Sequence, residues 1–450
     1  MVTLNYGETS IPADNYTVRA GGTIQVAAAF ERSVALVGGM DTSNGTATEG
    51  EAVEVDDFSE AADLFGTDSE LYDQVQLAYE NGAVTVYAVP VDETTTTESI
   101  TGSQSGTLDN APIFNPQLHG DESITVTDDT AGTDVTVEYT YGETPPQPTD
   151  EDTVVINLIT GEWAADESAD YTFDYTYGDY STAIDEAIAQ EPRILGLCQE
   201  ADSLTSTASG QAETVASDYN VMSVVGGGTP FTNPDSPDVQ NATVSTISPR
   251  LSLLPNPYGY LDEAETDMVR AVGAVAGELA SLPLGISSTN NSLTGIESMR
   301  TDLSPNEAGT LADEGFMPLL DYPPVTIVKD MTTSDDQRFE RVYAMNVVDE
   351  IVTLLHDINR QYIGDQARDE NIRNLRASLR SMLRGLTNSD PPLLDTLEDD
   401  QPYAIQVERS DSSDNVFDER IGVDVAGVID TINASVVVGD VTTQVDVEGL

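Results

Sequence analysis

Val34-Ala35-Leu36-Val37-Gly38 is an uninterrupted apolar run, and a second one, Val84 to Val89, follows a stretch from Asp68 to Ala78 with apolar positions at helical spacing. Short apolar runs of this kind predict strands buried on both faces, and the helical stretch ends on the stop signal Asn81-Gly82. Strand, helix and strand in this order form an α/β unit. From Asp92 the pattern changes. Residues 93–179 are rich in Thr, Asp and Gly, with alternating runs at Ser123 to Val126 and Val135 to Tyr139, and they carry almost no helical pattern. Within them Tyr139-Thr140-Tyr141-Gly142-Glu143 recurs as Tyr175-Thr176-Tyr177-Gly178-Asp179, which suggests two similar strands of one small β domain.

The α/β rhythm then resumes with a helix over 182–190, a strand over 193–197, a helix over 207–216 and a strand over 221–225. A small-residue helix is expected over 268–280, with Gly273 and Gly277 marking close packing, and Ser304-Pro305-Asn306-Glu307 is a capping box that starts another helix. The longest helical signal begins near Ser334 and places Phe339, Tyr343, Val347, Ile351, Leu355 and Ile358 on one face. A second helix over 366–386 has Ile372, Leu375, Leu379, Met382, Leu383 and Leu386 as its stripe. Strands follow at 403–407, 421–425 and 434–438, with a last β-like run at 441–447.

The expected fold is α/β (α+β): a core in two parts, 31–92 and 180–438, interrupted by an all-β insertion at 93–179 and flanked by extended terminal β arms at 1–30 and 439–450.

Charge changes this picture more than any motif does. Eighty acidic residues stand against seventeen basic ones, a formal net charge of -63, and Lys329 is the single lysine. Such a chain repels itself in dilute solution, whereas molar salt shortens the screening length to about 3 Å. The dispersed acid and scarce lysine resemble the proteins of extreme halophiles. With no basic tract to neutralise phosphates, nucleic acid is excluded as a partner. No signal segment and no run of apolar residues long enough for a membrane span is read in the sequence, so stable membrane insertion is not expected.

Catalytic chemistry finds little support. His119 and His356 are the two histidines, too few for a histidine-rich metal site, and both fit surface roles. Cys198 is alone in an apolar run and reads as a buried thiol. Gly226-Gly227-Gly228 is followed by no Gly-Lys-Ser/Thr and completes no dinucleotide fingerprint. Acid pairs such as Asp56-Asp57 and Asp399-Asp400 are unavoidable at this composition. No catalytic residue, cofactor or metal ligand is therefore assigned.

Arginine is the unusual constellation. Half of the sixteen arginines fall between Arg338 and Arg384, and Arg373, Arg376, Arg380 and Arg384 repeat at spacings of three and four, which aligns them on one helix face. On so acidic a protein this is a candidate contact surface. A salt-bridge ladder within the subunit is the competing reading.

Taken in order, several segments resemble the contractile tail sheath proteins of phages and related injection devices. They are Ser33 to Gly38, Val55 to Gly66, Val75 to Asn81, Val84 to Val89, Leu282 to Ile286, Leu311 to Leu319 and Val325 to Val328 before the helix pair. The resemblance implies a structural subunit, not an enzyme, of a halophilic archaeal virus or related device. Such subunits form six-membered rings stacked helically around a tail tube and contract to drive the tube through the target cell envelope. The implied partners are further copies of the chain, the tail tube protein, and baseplate and tail terminator proteins. The implied location is a virion tail or injection particle assembled in the host cytoplasm. Under this reading the arginine face touches the tube or a neighbouring subunit. Tyr16, Thr17, Val18, Ile24 and Val26 of the first arm, with Val436, Val438, Val445 and Val447 near the C-terminal end, exchange strands between subunits. The alternative from another class is a halophile surface-layer or adhesin protein, suggested by the Thr-rich β insertion.

Overall fold

The computed structural model describes residues 33–116, 118, 124–140, 144–199, 221–226, 239, 242–244, 246–322, 324–362, 368–389, 392–394, 403–410, 413–423 and 425–427. Its centre is a six-stranded sheet. The apolar runs become β1 (Ser33–Gly38), β3 (Thr85–Pro90), β10 (Ile194–Leu197), β11 (Met222–Gly226) and β12 (Leu251–Leu254), all parallel, with the short antiparallel β2 (Val53–Val55) on the edge beside β3. The sheet order is β12-β11-β10-β1-β3-β2.

A parallel sheet has to be covered on both faces, and successive side chains of one strand supply the two cores. Val34 and Leu36 of β1 point into a core shared with α2 (Glu70–Glu80) and α4 (Val272–Ser281). Ala35 and Val37 point into the opposite core, shared with α3 (Tyr180–Ile188) and α5 (Pro305–Asp313). α1 (Ala61–Phe65) is a short turn of helix that precedes α2 and buries Phe65. Local chemistry sets the helix ends. The Ser69 hydroxyl accepts the Tyr72 amide at the start of α2, and Gly82, at φ 95°, turns the chain into β3. At α5 the capping box is complete: Ser304 Oγ accepts from the Glu307 amide and Glu307 Oε2 from the Ser304 amide.

Residues 92–179 build a separate sheet from β4 (Asp92–Thr107), β5 (Thr125–Asp128), β6 (Thr133–Asp134), β7 (Thr136–Thr140), β8 (Thr153–Asn157) and β9 (Glu162–Asp179). The eighteen-residue β9 is its spine: β4 runs antiparallel along one edge, while β5 and β8 share the other. The core under it is aromatic, with Trp163 at 5.0 Å from Phe173 and edge-on to Tyr171 at 5.6 Å between ring centroids. Its opposite face carries a ladder of hydroxyls and carboxylates, including Thr95 with Thr176 and Ser99 with Thr172, each at 3.0 Å. The two Tyr-Thr-Tyr-Gly copies fall on β7 and β9 of this sheet, separated by β8, and residues 141–143 of the first copy lie outside the described residues.

Smaller antiparallel pieces complete the molecule: β13 (Tyr258–Tyr260), β14 (Met268–Arg270) and β15 (Ser298–Met299), then β16 (Leu319–Leu320) with β17 (Thr326–Ile327). The C-terminal part consists of α6 (Val342–Arg360), α7 (Asp369–Thr387) and the hairpin β18 (Tyr403–Ser410) with β19 (Ser413–Val423). α6 bridges two cores: Val342, Met345 and Val348 pack on the sheet side, and Val347, Ile351 and Leu355 join the stripe of α7.

Two helix starts differ from the sequence reading. Met268 to Arg270 pair with Tyr260 to Tyr258 as a strand, so the small-residue helix begins only at Val272. The residues from Ser334 to Glu340 are a loop, where Asp336 accepts the Arg338 amide at 3.1 Å and holds a turn, so the long helix begins at Val342 and Phe339 precedes it. The helix expected over 207–216, the strand over 434–438 and the run over 441–447 lie outside the described residues.

Gly273 and Gly277 lie where α4 meets α2 backbone to backbone. A methyl group on either would collide with the carbonyl oxygens of Gln74 and Ala78, and the Gly273 amide donates to Gln74 Oε1 at 2.6 Å. Gly273→Ala and Gly277→Ala are each expected to lower stability by about 1–3 kcal/mol in denaturant unfolding, despite alanine's better helix propensity. Equal or greater stability would show that the helices do not meet this closely.

Candidate assembly surface

α7 is amphipathic, and its two faces do different work. Leu375, Leu379, Met382, Leu383 and Leu386 are buried against α6 and against Val407 of β18. The opposite face exposes Arg373, Arg380 and Arg384, while Arg376 is half-buried and donates from Nη2 to the Val407 carbonyl. Asp369 and Glu370 sit in the first turn, and no acidic residue follows until Asp390. Among the described residues none of these four arginines pairs with a carboxylate. The intrasubunit salt ladder therefore has no support here, and three guanidinium groups remain directed at solvent.

Beside this face stands the hairpin. β18 and β19 pair only with each other, from Tyr403 opposite Val423 to Arg409 opposite Phe417, so both outer edges have no strand partner among the described residues. A two-stranded ribbon is marginal alone. This one is held by Val407, Tyr403 and Ile405 against the helix pair. The start of β1 is tied to the end of α4. The Ser33 hydroxyl, where β1 begins, accepts the Arg193 amide at 3.1 Å, and Arg193 Nη1 reaches the carbonyls of Ala280 and Leu282 at the end of α4. Just beyond, Gly285 packs against Leu393, whose carbonyl accepts the amide of Ala426. Tyr16, Thr17, Val18, Ile24, Val26, Val436, Val438, Val445 and Val447 lie outside the described residues, as does His119. His356 falls on α6.

Three buried ion pairs fasten these parts, and sequence reading missed all of them. Arg250 grips Asp349 of α6 bidentately, Nη1 to Oδ2 at 2.7 Å and Nη2 to Oδ1. Arg341 holds Asp330 with help from Thr289 at 2.8 Å, and Arg270 holds Glu70 and Gln199. Arg250 lies 99 positions before its partner and Arg270 lies 200 positions from Glu70, so no local spacing reveals them. The available signal was arginine set directly beside apolar strands in a chain that has few basic residues.

Arg270 also lies near the carboxyl ends of the central strands. Numbered along the chain, the parallel strands run in the order 2-1-3-4-5, so the direction of winding reverses between β1 and β10. Ligands of such sheets bind at that switch point, off the carboxyl ends of the strands. Among the described residues this region is closely packed. A side chain at Gly38 would meet Cys198 Cβ at 2.9 Å, and buried Glu70, Arg270 and Gln199 close over the strand ends. Among the described residues no cluster of three or more His, Cys, Asp or Glu is arranged to hold a metal, and no helix is long and apolar enough to cross a membrane.

Solved structures with this architecture are sheath and baseplate chains of contractile particles. A chain of the anti-feeding prophage baseplate matches with TM-score 0.57 and 11% identity over 96% of this chain and 100% of its own length. A chain of the sheath complex of an extracellular contractile injection system, PVC, in the contracted state matches with TM-score 0.57 and 13% identity over 96% and 98%. A sheath tail protein from Listeria innocua matches with TM-score 0.53 and 11% identity over 91% and 93%. The class is thus that of the contractile sheath fold, as the ordered motifs implied. The family model for the DUF2586 N-terminal domain matches residues 25–323, and the chain belongs to this family. No curated protein matches the sequence.

Removing one partner of a buried pair strands the other charge, whereas an exposed pair is worth little. Asp349→Ala is expected to cost about 3–5 kcal/mol in denaturant unfolding. Asp336→Ala, which breaks the exposed pair with Arg338, is expected to cost about 1 kcal/mol or less. Similar costs for the two would show that the Arg250 pair does not fasten α6.

Proposed function

We propose that the chain is a structural subunit of a contractile sheath, assembling as stacked six-membered rings around a tail tube and shortening to drive that tube through a target envelope. The observation that carries this reading is the near full-length likeness, in both directions, to a chain of a contracted sheath complex. The close packing of the described side chains at the switch point of the central sheet accords with a structural role.

In this reading the terminal segments 1–30 and 439–450, through Tyr16, Thr17, Val18, Ile24 and Val26 and through Val445 and Val447, add strands to the open edges of a neighbour's β18–β19 hairpin. Val436 and Val438 of the preceding strand take part in the same exchange. An exposed strand edge accepts a donated strand through backbone hydrogen bonds, which need no long-range charge and survive in salt. Arg373, Arg376, Arg380 and Arg384 meet carboxylates of the tail tube or of an adjacent subunit; direct guanidinium-carboxylate contacts of this kind keep their strength where diffuse charge is screened. Residues 93–179 form an outward-facing insertion on the core of 31–92 and 180–438. Baseplate and terminator proteins close the two ends of the assembly, in a virion tail or injection particle built in the host cytoplasm. The acid surface suits a particle of a halophilic virus or related device.

Truncation after Gly439 is expected to leave a folded, soluble monomer that forms no long sheaths, read by circular dichroism and electron microscopy. Polymerisation equal to that of the full chain would overturn the strand exchange. Reversing charge at Arg376 and Arg380 together is expected to abolish assembly on tubes while the monomer stays folded. Normal assembly would remove the arginine face from the account.

A further inference from the structure

On α6 two carboxylates stand side by side, Asp349 and Glu350, each 5% exposed. Asp349 has the guanidinium of Arg250. Glu350 has no such partner: its Oε1 is sealed from solvent without a hydrogen bond. The charged groups that face it are Arg193, from the approach to β10, and Asp357 and Asp349 of its own helix. Arg193 spends Nη1 on the carbonyls of Ala280 and Leu282, each at 3.3 Å, and Arg250, from the approach to β12, is taken by Asp349. The site lies where α6 passes from the sheet core to the C-terminal helix pair, so whatever Glu350 costs is charged to that joint.

We propose that Glu350 makes this joint proton-linked: α6 is held on the central sheet while the Glu350 carboxyl is neutral and is loosened when it ionises. A buried carboxylate without hydrogen bonds favours its neutral form. Burial pushes Glu350 up to about 7, Arg193 pulls against the rise, and Asp357 and Asp349 add to it. A raised pKa in the folded state gives stability that is complete below the ordinary glutamate range and is lost as pH rises through the folded value. The joint is therefore tighter at mildly acidic than at alkaline pH. Asp73 of α2, pushed up to about 8 by burial and by Asp267, Glu70 and Asp68, is a second buried acid of the same sign and serves as the control. The inference concerns a joint within one subunit and holds whether or not the chain builds a sheath.

Hydrogen exchange of the full chain in molar salt, corrected for the intrinsic pH dependence of exchange, tests it on the amides of α6. Protection there is expected to be about tenfold lower near pH 8.5 than near pH 6. Glu350→Gln is expected to flatten this difference and Asp73→Asn to leave it in place. A Glu350→Gln protein with the same tenfold difference overturns the proposal. Should that variant fail to fold, the unaltered chain decides alone, because α6 protection that is equal at both pH values overturns it as well.

Discussion

The buried grip of Arg250 on Asp349 is the constraint on which the rest of the structure depends. Arg250 sits at the start of β12 and Asp349 on α6, so the pair joins the parallel sheet to the helices that carry both the arginine face and the open hairpin. Two charges taken out of water leave little net gain, yet losing either one is severe, and this makes the joint specific in its geometry. A hydrophobic contact alone would allow α6 to slide along the sheet. The bidentate pair fixes where α7 and β18–β19 stand relative to the strands.

Charge divides this molecule into two regimes. Most of the acids among the described residues face solvent, where salt controls their interaction, and only a few enter the interior. Glu70, Asp330 and Asp349 are matched by arginine, Asp128 accepts the backbone amides of Thr130 and Ala131, and Glu350 remains poorly compensated. The arginines are allocated in the same way. Arg250, Arg270 and Arg341 serve the interior, and Arg373, Arg380 and Arg384 lie on one exposed face with no carboxylate partner among the described residues.

The central sheet was legible in the sequence because strands covered on both faces need continuous apolar runs, as in Val34 to Gly38 and Ile194 to Leu197. Helix ends were legible where caps are local, as at Ser304 and Gly82. The misreadings share one cause, tertiary pairing of residues whose local pattern fits a helix. Met268-Val269-Arg270 continues the apolar pattern of α4, but a strand at Tyr258 to Tyr260 captures its backbone. Phe339 keeps helical spacing with Tyr343, but the Asp336 turn and the tie between Arg341 and Asp330 delay the helix. For the arginine face, the stripe could be read from its spacing, whereas which described acids lie near it depends on positions in space. The open edges of β18–β19 depend on which strands fail to pair, and no local pattern records that.

The central claim is that the subunit carries everything needed to build a sheath lattice, with screening supplied by salt. Negative-stain electron microscopy of the purified full-length chain in molar salt tests it most directly. The account predicts rings or hollow tubes of uniform width. A population of dispersed monomers at high concentration, without rings or tubes in either the presence or the absence of the tail tube, would contradict it.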